Sequence, residues 1–196
     1  MAKINKGLLS TTRQKILSIL AKDGRKNLTD IAHELGISHV AVKRHIDKLI
    51  ESGILRIQGN INPDLLSLRL ILVFMEIIDE EHMRDIINKF KECPRMVLLA
   101  RIMGGYNLIA ILYAENDKVL ECFSSICSIR TMPGIRRTEV YILSKLIKPK
   151  YLPIYYPPLK RSENTPCGRN CRECIAYIEN KCPGCPSTIY YKLYKS

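Results

Sequence analysis

The chain has 196 residues, 31 Lys and Arg against 19 Asp and Glu, and a net charge of +12. It carries no apolar run of about 18 residues and no secretory leader, so neither a membrane span nor export is expected, and the protein is expected in the cytoplasm. The charge is uneven: residues 1–62 hold eleven basic against five acidic residues, residues 63–147 eleven against eleven, and residues 148–196 nine against three. Basic ends around a neutral middle suit a nucleic-acid binder whose central module faces protein.

Thr11 to Lys22 has an apolar stripe of Ile16, Leu17, Ile19 and Leu20 and predicts a first helix. Asn27 is an N-cap candidate for a second helix with Leu28, Ile31, Ala32 and Leu35 on one side. Gly36 supplies a tight turn, because a residue without Cβ can take positive φ. Ser38 then caps a third helix with Val42, Ile46 and Leu49 inward, ending at Gly53. Its outer face carries His39, Val40, Lys43, Arg44 and Asp47, with Lys48 at the edge. A short second helix with a basic outer face suits the DNA major groove. The bland alternative is a helical hairpin with a solvated charged face. Ile54 to Ile61 alternates around a Gly-Asn turn and predicts a small β-ribbon carrying Arg56. Residues 1–62 are therefore expected to form a winged helix-turn-helix with Ser38, His39, Val40, Lys43, Arg44, His45, Lys48 and Arg56 toward DNA.

Residues 63–148 predict a different domain. Leu65 to Ile78 opens with an apolar strand. Glu80 to Lys91 is an amphipathic helix with Met83, Ile86, Ile87 and Phe90 on one side. Arg95 to Met103 and Tyr106 to Tyr113 are paired strands around a Gly104-Gly105 turn. Asn116 caps a helix through Cys127, and a last strand runs from Arg136 to about Leu146. The order is βαββαβ, a ferredoxin-like α+β sandwich. An apolar sheet with one uncovered face predicts a dimer or larger assembly.

Residues 149–164 are Pro- and Tyr-rich and predict an extended linker or arm. Residues 165–196 hold five cysteines within nineteen residues: Cys167, Cys171, Cys174, Cys182 and Cys185. The two CxxC pairs each present two thiolates to one cation from a tight turn, and Pro183-Gly184 suits such a turn. Structural zinc on Cys171, Cys174, Cys182 and Cys185 is the first reading, with Cys167 as a fifth candidate. The tail shows no apolar core of its own, and a metal supplies folding energy. An iron–sulfur cluster is the alternative, and disulfides a third that an odd cysteine cluster in a cytoplasmic chain argues against. Cys93, Cys122 and Cys127 are scattered and expected as core residues. The tail could couple metal or redox state to DNA binding, or only staple a small domain with Arg169, Arg172, Lys181, Lys192 and Lys195 on its surface.

From residue 8 to about 148 the chain resembles the Lrp/AsnC family of transcription regulators. The resemblance rests on Arg13-x-x-Ile16-Leu17, Ile31-Ala32-x-x-Leu35-Gly36-Ile37-Ser38, Leu49-x-x-x-Gly53-Ile54, Asn62-Pro63 and Gly104-x-Tyr106. It implies dimers built through the second domain, often stacked into octamers, and binding to short palindromes in double-stranded DNA. It also implies, in many members, a small amino-acid effector bound near the hairpin turn, which carries over to Gly104, Gly105, Tyr106, Asn107 and Thr138. The chain departs from the pattern at three places. His45 stands where the family usually has Arg, which implies a weaker or pH-dependent contact or a His tucked into a helix interface. Asn107 replaces an Asp, and Val140 an effector-contacting Thr. Two other functions stand beside the regulator. One is an architectural DNA-coating protein, which differs only in specificity. The other is an enzyme such as a haem-pathway decarboxylase, which some Lrp-like proteins are. Three of the four His (His33, His39 and His45) fall in the first domain, His82 starts a charged helix, and no catalytic constellation is evident, so no enzyme is expected.

Overall fold

The computed structural model describes residues 9–125, 128–155 and 162–192. The chain divides into two compact units at Gly59/Asn60.

The first unit contains three helices: α1 (Thr11–Lys22), α2 (Leu28–Leu35) and α3 (His39–Glu51). Their apolar stripes meet in one core, where Ile16, Ile31, Val42 and Leu49 are fully buried. The caps form as the residue types demand. Asn27 accepts from the Asp30 amide at 2.7 Å, and Ser38 accepts from the Ala41 amide at 3.2 Å. Gly36 closes α2 with φ +66°, a left-handed geometry that side chains resist. The expected β-ribbon differs. No ribbon pairs within residues 54–61, and the one ladder contact of this stretch is an isolated antiparallel bridge from Ile61 to Leu152.

The second unit is a four-stranded antiparallel sheet of order β2-β3-β1-β4. The elements are β1 (Arg69–Ile77), α4 (Glu80–Phe90), β2 (Met96–Arg101), β3 (Leu108–Ala114), α5 (Asp117–Ser125), α6 (Ser128–Thr131) and β4 (Ile135–Ile142). The βαββαβ expectation holds, with shifts that have local causes. β1 begins at Arg69 rather than Leu65, because a 3-10 turn at Asp64–Leu66 follows Pro63 and Ser67 takes a positive φ. The hairpin closes over residues 102–107, with the Ile102 amide bonded to the Asn107 carbonyl, rather than over Gly104-Gly105 alone. The helix expected through Cys127 is seen to Ser125, and Cys127 lies outside the described residues.

Strand alternation sorts the sheet into two faces. Ile71, Val73, Met75, Leu108, Ala110 and Leu112 pack under α4 and α5 against Met83, Ile86, Phe90, Val119 and Phe123. On the other face, Leu70 and Tyr113 are capped by Ile154 and Leu152. The expected linker is thus an arm laid along the sheet as far as residue 155. Residues 156–161 lie outside the described residues. Beyond the arm, Leu72, Phe74, Ile109 and Ile111 are half-buried, and Leu98 and Tyr141 are exposed, so an apolar strip remains open.

The tail packs on this unit. It contains a 3-10 turn (Cys171–Glu173) and a short α7 (Ile175–Ile178). Contrary to expectation it buries residues of its own, Ala176, Thr188 and Tyr191, and Cys167 packs against the sandwich core. The Tyr191 hydroxyl donates to Glu115 at 2.6 Å, and Arg169 donates to the Thr131 hydroxyl at 3.2 Å.

Candidate functional site

Three candidate sites emerge, one in the first unit and two in the second. In the first, the capped turn presents the outer face of α3. Ser38, His39, Lys43, Arg44 and Lys48 are exposed, Val40 is 63% exposed, and Arg56 is exposed beyond the helix. Positive side chains on a helix of 13 residues with its N-terminal end free suit contact with phosphates and base edges. His45 departs from this set. It is half-buried, and its Nδ1 accepts from Arg13 Nε at 3.4 Å, which ties α3 to α1. Burial lowers its pKa, and the charges of Arg13, Arg44 and Lys48 lower it further. A neutral His serving as acceptor to Arg13 makes a helix–helix contact.

The second site is the hairpin end of the sheet, where residues 104–107 lie beside the start of β4. The Asn107 side chain is spent on the backbone: its Oδ1 accepts from the Ile77 amide at 2.8 Å and its Nδ2 donates to the Ile77 carbonyl at 2.7 Å. That pair closes the end of β1, where the β1/β4 register shifts. Thr138 accepts from Arg130 at 3.4 Å. Arg137 stacks over Tyr106, 4.4 Å from the ring centroid, and donates to the Gly105 carbonyl at 3.4 Å. The buried Tyr106 hydroxyl makes no well-formed hydrogen bond, though the nearby Glu139 carboxylate raises its pKa. The candidate effector residues thus gather at one end of the sheet, with Asn107 already committed to the fold.

The third site is a cavity of about 100 Å³ between the tail and the sandwich. All five tail cysteines line it, and so do Cys93, at the end of α4, and Cys122 of α5. The scatter of those two along the chain predicts core residues. Cys93 does touch the core, but both face the chamber. The remaining wall is mostly apolar, with Phe90, Leu112, Val119 and Phe123. No two of the seven described cysteines form a disulfide. Among the described residues, no three Cys, His, Asp or Glu side chains stand close enough to share one metal ion.

Short bonds arrange the chamber's sulfurs. Cys185 Sγ lies 3.2 Å from the Ser187 hydroxyl, and Cys167 Sγ 3.4 Å from the Thr165 hydroxyl. A hydrogen bond from the Cys122 thiol, helped by the Gly184 amide and the Arg95 charge against burial, lowers the Cys182 pKa to about 6. Burial raises that of Cys185. Arg95 is the fixed point of this wall. Its Nη2 donates to the Gly184 carbonyl at 2.9 Å, and its Nε to Glu115 at 2.9 Å, with both side chains buried. Burial works against its charge, yet Glu115 holds the guanidinium pKa above its usual value. Gly184 has φ +93°, and a Cβ there would stand 3.0 Å from the Tyr190 carbonyl oxygen, so the Cys182–Cys185 turn needs glycine. The basic tail side chains are partly engaged: Arg172 stacks over Tyr190, Lys192 over Tyr177, and Lys181 pairs with Glu179. Lys195 lies outside the described residues.

Two family models match the chain. Residues 9–56 match "Winged helix-turn-helix DNA-binding" and residues 70–153 match "Lrp/AsnC ligand binding domain". The tail lies beyond both. The chain is 33% identical over 110 residues to the HTH-type transcriptional regulator Ptr1 of Methanocaldococcus jannaschii, covering 56% of this chain and 74% of that one. It is 23% identical over 144 residues to the HTH-type transcriptional regulator FL11 of Pyrococcus furiosus, covering 73% and 94%. Among solved structures, E. coli AsnC shares the fold with a TM-score of 0.61 at 16% identity, covering 70% of this chain and 93% of that one. A transcriptional regulator of Neisseria meningitidis, solved as an L-Met complex, shares it with a TM-score of 0.64 at 17% identity, covering 71% and 92%. Among the described residues no helix is long and apolar enough to cross a membrane.

Proposed function

The chain belongs to the Lrp/AsnC family of DNA-binding transcription regulators, and from that premise we propose that it reads a specific operator through α3, as a dimer or a larger assembly such as an octamer. Its relatives are named as transcriptional regulators, and the chain is a regulator, not an enzyme. The observation that carries the reading is the outer face of α3, where Lys43, Arg44 and Lys48 stand exposed on a helix whose N-cap and turn are fully formed. Positively charged side chains there supply phosphate attraction, and Arg44 with His39 and Val40 supplies base-edge contacts.

Self-association is assigned to the open strip of the sheet, Leu72, Phe74, Leu98, Ile109, Ile111 and Tyr141. A second copy covers such a strip by the same physics that buries the helix side. A small amino-acid effector is proposed at the hairpin end, around Gly104, Gly105, Tyr106 and Thr138. The Arg137 guanidinium is the group there that suits the effector's carboxylate, and the nearby Glu76 and Glu139 carboxylates suit its ammonium. The cysteine chamber is proposed as a thiolate metal site, zinc or iron–sulfur, whose occupancy or oxidation bears on regulation.

A mobility-shift titration on DNA selected from a random pool tests the main reading. Lys43→Ala together with Arg44→Ala should abolish specific retention. Unchanged affinity would remove α3 from the interface.

A further inference from the structure

The sequence puts five cysteines in the tail, but the fold brings seven to one chamber. Cys122 arrives on α5 and Cys93 from the end of α4, so the chamber's wall is shared between the tail and the regulator body. We propose that this chamber holds an iron–sulfur cluster rather than a single zinc ion, with Cys122 supplying a thiolate from the body. This inference rests on the reading of the chamber as a thiolate metal site.

Three observations carry it. The first is number. Thiolates sharing one zinc, each about 2.3 Å from the metal, stand only ~4 Å from one another. All seven described cysteines line the same space, more donors than one tetrahedral ion takes. A polynuclear cluster bridges donors that are farther apart, because its own sulfides and irons fill the middle. The second is volume. A cavity of about 100 Å³ walled by Phe90, Leu112, Val119 and Phe123 leaves more room than one ion with four sulfurs closed around it needs. Its mostly apolar lining lowers the polarity around a bound cluster, one of the factors that tune cluster stability.

The third is the support of the sulfurs. The Cys182–Cys185 turn is held from behind by Arg95 through the Gly184 carbonyl, and Arg95 is held by Glu115. The Thr165 and Ser187 hydroxyls sit 3.4 and 3.2 Å from the sulfurs of Cys167 and Cys185. Hydrogen bonds to cluster sulfurs and a nearby fixed cation tune cluster potential and stability. Ligation itself needs no redox step. Each cysteine that binds iron gives its thiol proton to solvent, and its sulfur forms the bond to iron.

The consequence is mechanical. A cluster bonded to α5 and to both CxxC pairs would hold the tail against the sandwich, and its loss would leave the tail on hydrogen bonds and packing alone.

The test uses the full chain, purified anaerobically and offered ferric and ferrous iron together with sulfide, or zinc alone, in parallel. Iron and acid-labile sulfide bound in equal amounts, with a broad visible absorption bleached by dithionite, are expected. Zinc bound while iron and sulfide are refused would overturn the cluster and keep the metal site. Refusal of both would sink the metal site itself. The body ligand is read in wild-type protein by alkylation and peptide mapping: Cys122 should be protected in the loaded protein and labelled after the cluster is removed. Cys122→Ser should lower iron and sulfide content several-fold while the protein stays dimeric. Equal labelling of Cys122 with and without the cluster overturns its role as a ligand.

Discussion

The hydroxyl of Tyr191 donates to the carboxylate of Glu115 at 2.6 Å, joining the tail to the residue that follows β3. The same carboxylate pairs with Arg95, whose guanidinium reaches the Gly184 carbonyl, so one buried relay links the sandwich to the Cys182–Cys185 turn. Breaking a buried pair from one side leaves an uncompensated charge. Glu115→Ala should therefore cost about 3–5 kcal/mol in urea unfolding. Tyr191→Phe should cost about 1.5 kcal/mol, since it removes a single hydrogen bond to a charged group. A Glu115→Ala protein as stable as wild type would mean that the relay does not hold the tail.

The DNA-reading face should show two kinds of effect. Arg44→Ala should cost about 1–3 kcal/mol of specific affinity through a lost base contact. Lys48→Ala, at the edge of the face, should weaken binding on all sequences alike and lower the salt dependence by about one counterion. Affinity measured on operator and on random DNA at several salt concentrations separates the two.

Much of the first unit was legible because its signals are local. Asn27, Gly36 and Ser38 act within three residues of themselves, and each does in the structure what its chemistry demands. The βαββαβ order was legible from alternation and amphipathic spacing. The start of β1 was not, because Leu65 and Leu66 look like strand residues until Pro63 turns them into a 3-10 helix. Nor was the role of Asn107, since its partner Ile77 lies thirty residues away. The chamber shows the same limit most clearly. Cys122 meets Cys182 only after α5 packs on the sheet and the tail folds back over it, and nothing around residue 122 announces that meeting. Chemistry that depends on long-range closure leaves its residues looking like ordinary core.

His45 gives a pH dependence whose sign follows from its environment. Burial and three neighbouring cations hold its folded pKa below the ordinary 6.5. Below that value the unfolded chain binds the proton more readily than the folded one. The contribution is therefore intact above about 6.5 and is lost as pH falls through 6.5 toward the folded value. Thermal unfolding should show wild type losing stability on mild acidification, and His45→Gln losing less of it. Parallel curves for the two proteins would place the acid sensitivity elsewhere.

Asn107 should behave as a structural residue. Asn107→Ala strands the amide and carbonyl of Ile77 and should cost about 1–3 kcal/mol in thermal or urea unfolding. Asn107→Asp keeps an acceptor for the Ile77 amide but cannot donate to the Ile77 carbonyl, so it should fall between the two. If Asn107→Ala leaves stability untouched and abolishes amino-acid binding in calorimetry, the side chain belongs to the effector site instead.

Self-association should survive removal of the helical unit. Residues 60–196, the second compact unit, should remain at least dimeric in light scattering, and Tyr141→Arg on the open strip should drive this fragment to monomer. A wild-type fragment that is monomeric while the intact chain is dimeric would assign the interface to the first unit.

The most direct test of the central claim, that this chain is a sequence-specific regulator reading DNA through α3, is selection of bound DNA from a random pool followed by footprinting on the recovered sites. The account predicts an enriched palindrome protected as two half-sites, about 10 base pairs apart or a multiple of that. Enrichment should be lost in the Lys43→Ala, Arg44→Ala double variant. Recovery of no common sequence, with continuous protection along any DNA supplied, would contradict it and identify a DNA-coating protein instead.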